Sequence, residues 1–87
     1  MFKTYEELEA KMLKAGFEVA KLGNGESHFT RIVEDGKFSY FHELSVIPAL
    51  PNFDTKFINV IEFDISTGER VTDYIEDLEE VLGGKNG

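Results

Sequence analysis

The sequence predicts an α+β domain: an antiparallel sheet of four to five strands with an N-terminal and a C-terminal helix packed on one of its faces. Three observations carry this reading. A helical period opens the chain, a period of two occupies its middle, and a helical period returns after Arg70. An Asp-Gly pair at Asp35-Gly36 joins two alternating runs, as a tight hairpin requires. Helices this short are not stable alone, so each must bury its apolar stripe against the sheet, the simplest two-layer solution.

The first helix is expected over residues 4–15. Thr4-Tyr5-Glu6-Glu7 has the form of a capping box, with the Thr4 hydroxyl accepting the Glu7 amide and the Glu7 side chain reaching back. Tyr5, Leu8, Met12 and Ala15 fall on one stripe, while acids lie early and lysines late, in accord with the helix dipole. Gly16 suits the left-handed residue after the helix, and Phe17 can fold back onto the last turn.

A strand follows over residues 17–22, stopped by Gly23-Asn24-Gly25. The next two strands, 27–34 and 37 to about 45, flank Asp35-Gly36. A two-residue loop there sets Glu34 opposite Lys37, Val33 opposite Phe38, Arg31 opposite Tyr40, Phe29 opposite His42 and His28 opposite Glu43. One sheet face then carries Phe29, Arg31, Val33, Phe38, Tyr40 and His42, and the other carries Thr30, Ile32 and Phe41.

Pro48 and Pro51 interrupt regular pairing, so residues 46–55 read as a connecting loop, unusually apolar through Val46, Ile47, Leu50 and Phe53. It either folds over the open sheet face or forms a contact surface. Residues 56–65 form the next strand, with Phe57, Ile61, Phe63 and Ile65 on one face and Ile58 and Val60 on the other. A turn at 66–69 leads into a short strand at 70–72. Val71, Tyr74, Ile75, Leu78, Val81 and Leu82 then fit a second amphipathic helix, capped by Thr72 and stopped by Gly83-Gly84. Residues 1–84 are expected to form one compact domain, with 85–87 as a tail.

The composition excludes several functions. The 87 residues hold 17 acids against 9 bases, a net charge of −8, and no cysteine. Thiolate nucleophiles, iron–sulfur clusters and zinc sites built on sulfur are therefore ruled out. Phosphate-binding, metalloprotease and nucleophile-elbow motifs are missing, and no cofactor is implied. Direct non-specific nucleic-acid binding needs basic patches, which this chain lacks. No apolar run is long enough to span a membrane, and a cytoplasmic location is expected.

His28 and Glu43 are the best candidates for catalysis or ligand binding, since a carboxylate beside an imidazole sets its tautomer. His42, however, points to the opposite face, and no hydroxyl nearby has an activating base and orienting group. The missing nucleophile and oxyanion groups favour the plainer reading of His28 and Glu43, a surface ion pair worth under about 1 kcal/mol.

The acids of the C-terminal segment carry the leading functional expectation. Asp73, Glu76, Asp77 and Glu80 share the helix face opposite the apolar stripe, with Glu69 placed to extend the row. Like charges at these spacings weaken a helix, so local stability does not explain them. Either they confer solubility, or they bind a basic protein surface, as an inhibitor occupying a nucleic-acid-binding site would, with Leu50 and Phe53 as apolar anchors. The alternative is a structural module that associates with itself through the open sheet face and the 46–55 loop.

Overall fold

The computed structural model describes residues 2–48 and 56–83. The chain runs α1 (Tyr5–Lys14), β1 (Glu18–Lys21), β2 (Ser27–Asp35), β3 (Phe38–Val46), β4 (Phe57–Asp64), β5 (Arg70–Asp77) and α2 (Leu78–Val81). The five strands form one open antiparallel sheet in the order β1-β2-β3-β4-β5, so every strand pairs with its sequence neighbour.

Helix α1 forms where the capping signals place it. Thr4 Oγ1 accepts the Glu7 amide at 3.1 Å. The Glu7 carboxylate reaches back one residue further than expected, accepting the Lys3 amide at 2.9 Å. At the other end Gly16 adopts a φ of 95°. The Phe17 amide donates to Met12 O and the Gly16 amide to Leu13 O, the two bonds of a Schellman closure. Phe17 is thereby turned back into the core.

The β2–β3 hairpin has the expected faces but a different register. Asp35 pairs with Phe38, Val33 with Tyr40, Arg31 with His42 and Phe29 with Leu44. The central turn residues are Gly36 and Lys37, and of these only Gly36 has positive φ, at 65°. That pattern belongs to a type II′ turn, which wants glycine first, whereas the Asp-Gly reading assumed a type I′ turn. Each strand residue therefore finds its partner two positions further along the opposite strand. A shift of two keeps every side chain on its original face, so the face assignments hold while the partners change.

The larger correction lies after Arg70. The segment expected to be mostly helical is the strand β5, and helix remains only as the four-residue α2. Val71, Thr72, Tyr74 and Ile75 are β-branched or aromatic and favour extended backbone. The Asp64–Glu69 turn, with Gly68 at a φ of 74°, returns the chain alongside β4, where seven residue pairs form in register. A bulge opposite Glu62 and Phe63 adjusts the start of β5. Pairing along β4 prevails over a helix that like-charged neighbours would have weakened.

The core gathers on one side of the sheet. Leu8 and Met12 of α1, Phe17, Phe29, Leu44, Val46, Ile58, Val60 and Leu78 form one buried cluster. Phe29 is fully buried, with the Tyr5 ring 6.4 Å away. The Tyr5 hydroxyl donates to buried Ser27 at 2.8 Å, giving that core hydroxyl a partner.

The type II′ turn has a measurable signature. Gly36→Thr is expected to destabilise the fold by about 1–2 kcal/mol, because a β-branched residue must take positive φ. Asp35→Thr, in the ladder, is expected to stay within about 0.5 kcal/mol of the parent. Urea titration of both variants checks this; equal losses would restore the Asp35-Gly36 turn.

Candidate interaction surface

The two sides of the sheet are built from different chemistry. Residues directly opposite one another in a ladder share a face, so the registers sort the side chains. One face holds the core described above. It also holds Arg31, opposite His42, which in turn lies opposite Val60 and then Tyr74.

Arg31 organises this side. Its Nε donates to His42 Nδ1 at 3.1 Å, its Nη1 to Ala15 O at 2.7 Å, and its Nη2 to Val81 O at 3.4 Å. The two carbonyls belong to the last turns of α1 and α2, where helix geometry leaves acceptors unpaired and the dipole is negative. The guanidinium carbon lies 4.7 Å from the centre of the Phe17 ring, which supports it from one side. Burial lowers the Arg31 pKa, while the charge of Glu76 raises it.

His42 accepts from Arg31 through Nδ1, so that nitrogen carries no proton. Burial first, and then the Arg31 charge, hold its pKa down to about 4. Sequence reasoning placed Arg31 and His42 on one face without pairing them; the register shift makes them neighbours.

Among the described residues, no helix packs on the opposite face. Ile32, Phe41 and Ile61 stand in one cross-strand row that ends at Asp73. Phe57, Phe63 and Ile75 share this side. Ile32 is 68% exposed, Ile75 59% and Phe57 54%. Glu18, Glu34, Glu43, Asp73 and Asp77 are on the same face. His28 and Glu43 also meet there, diagonally rather than directly opposite, with Nε2 and Oε2 3.9 Å apart and both side chains about a third exposed. A shallow groove of about 380 Å³ runs along β4 and β5, lined among others by Glu43, Ile61, Arg70, Asp73 and Ile75.

The strand conformation of 70–77 disperses the expected carboxylate row. Asp73 and Asp77 stay on the helix-free face, whereas Glu76 lies on the core side, opposite Ile58. Asp73 forms an ion pair with Arg70. Asp77 caps α2, its Oδ1 accepting the Glu79 and Glu80 amides at 2.9 and 3.2 Å. Glu80 belongs to α2, and Glu69 sits in the β4–β5 turn, its carbonyl accepting the Asp64 amide. Leu50 and Phe53 lie outside the described residues.

Sequence reasoning missed Ile75 as a strand residue and, although it placed Val71 in a short strand, missed that both are exposed. Their signal was the density of β-branched and aromatic side chains, which helical spacing masked. Among the described residues no cluster of three or more His, Asp or Glu is arranged to hold a metal ion. No described helix is long and apolar enough to cross a membrane. No protein-family model matches the chain, and neither a curated protein nor a solved structure matches it.

Two outcomes test this geometry. Arg31→Met removes donors from three acceptors at once and is expected to cost more than about 2 kcal/mol by urea unfolding. Folding also holds His42 neutral below its unfolded pKa, so the unfolded chain binds the extra proton. Stability is therefore expected to fall as pH drops from about 6.5 towards about 4. His42→Gln, which keeps an acceptor but cannot titrate, is expected to flatten the part of that slope above pH 5.

Proposed function

We propose that this chain is a small acidic protein-binding module whose recognition surface is the helix-free face of the sheet. The observation that carries the reading is an exposed apolar centre, Ile32, Ile75 and Phe57 with Phe41 and Ile61 between them, among acidic side chains. An apolar patch with a charged border is the usual anatomy of a protein interface, the centre supplying affinity and the border orientation. Among the described strand residues, five acids share the face, and its bases are Arg70, already paired with Asp73, and His28, beside Glu43.

The complementary partner is a protein surface with apolar side chains ringed by lysine and arginine. Surfaces of that kind commonly hold nucleic-acid phosphates, and covering one would inhibit that use. A second copy of this chain fits less well, because each copy carries a net charge of −8 and the acidic borders would oppose one another.

The test is capture of a partner by the parent protein, repeated with Ile32→Lys and with rising salt. Ile32 is largely exposed, so its replacement is expected to leave the fold intact while reducing capture by at least about tenfold. Binding is also expected to weaken between low and high salt. A partner retained equally by Ile32→Lys would refute the surface assignment.

A further inference from the structure

The two edges of the sheet are unequal, and the difference points to a mode of binding. Edge strand β1 has four residues, whereas edge strand β5 has eight and is exposed along most of its length. Natural edge strands of that length are usually blunted by proline, by charged side chains (lysine above all), by bulges or by a covering segment. β5 contains neither proline nor lysine, and its bulge lies at its start, opposite Glu62 and Phe63. Its charges are Arg70, Asp73, Glu76 and Asp77, a mostly acidic set that deters another acidic strand and admits a basic one.

The ladder fixes which backbone groups the edge offers. The Leu78 amide donates to Lys56 O at 2.8 Å, in the register that pairs Phe57 with Asp77. Antiparallel alternation then turns the amides and carbonyls of Thr72, Tyr74 and Glu76 towards β4, and those of Asp73, Ile75 and Asp77 outward. The same three outward residues project their side chains onto the helix-free face, in the order acid, apolar, acid. The groove along β4 and β5 includes Asp73 and Ile75 in its wall.

We infer that β5 is a docking edge for an extended basic segment of a partner protein, which adds to the sheet as a sixth antiparallel strand. The inference rests on the helix-free face being the recognition surface and specifies how its β5 border is engaged. Cross-strand complementarity sets the pattern of the docked segment: lysine or arginine opposite Asp73 and Asp77, and an apolar residue opposite Ile75, two residues apart each time. Backbone pairing supplies the affinity and the alternating side chains the selectivity. A basic residue opposite Asp73 would share that carboxylate with Arg70.

A peptide carrying lysine–threonine–valine–threonine–lysine at its centre, the same in both directions, is the probe. Added to the whole protein, it is expected to slow hydrogen exchange at the Asp73 and Ile75 amides by at least about tenfold, with little change at Thr72 and Tyr74. N-methylation of its valine and lysine amides is expected to weaken binding at least about tenfold, whereas N-methylation of the threonines is not. Failure of the peptide to bind would overturn the docking edge but leave the face assignment to the Ile32→Lys test. Binding indifferent to N-methylation would place the peptide on the face and overturn strand addition. Protection of Asp73 and Ile75 that grows with protein concentration alone would assign the edge to a second copy, and overturn the basic segment.

Discussion

The guanidinium of Arg31 ties together by hydrogen bonds the same parts of the chain that the apolar core gathers by packing. It stands on the sheet, bonds the histidine beside it, and reaches the ends of both helices, at Ala15 and Val81. Its partners are one neutral nitrogen and two carbonyls, so the charge is met by dipoles rather than by a bonded carboxylate. A buried ion pair must overcome the desolvation of two charges, and a cation set against helix C-terminal carbonyls desolvates one. The arrangement requires His42 to stay neutral, so protonation of that ring opposes the fold.

Around that point the two faces of the sheet divide the work. The core side carries the buried cluster and both helix contacts, and the opposite side carries apolar side chains with nothing from the described chain across them. A small domain has little apolar burial to spare, so large residues that the described chain leaves uncovered call for a reason besides folding. Under the proposed function, negative charge on the same face would select among partners by sign. On the proposed reading, stability and recognition draw on different residues of the same strands, as the neighbours Arg31 and Ile32 illustrate.

Local rules made much of this legible. Thr4, Glu7, Gly16 and Phe17 delimit α1 through capping chemistry that depends only on nearby residues. Alternation in 27–34, 37–45 and 56–65 assigns the faces of three strands, because side-chain direction follows from backbone period. Partners were less legible than faces. Gly36 serves a type I′ turn in second place or a type II′ turn in first place, and the sequence alone does not separate the two. The segment after Arg70 was misread for a different reason: Val71, Tyr74, Ile75 and Leu78 satisfy a helical period, yet the open edge of β4 makes a strand the better use of them. Its acids were then assigned to one surface, and the strand divides Glu76 from Asp73 and Asp77. Arg31 was visible on the same face as Phe29 and His42, but a clamp between segments 66 residues apart in sequence has no local signature.

The inequality of the sheet's two edges has a consequence for stoichiometry. A sheet that offers equivalent edges on both sides can propagate, each added copy exposing a new site, and the end of that road is a filament. Here a strand laid along β5 meets an eight-residue template, while the far side ends in a strand half that length. If a partner strand docks on β5 as proposed, this chain's other edge offers no template of matching length, and the expected product is a finite complex with one partner strand per molecule.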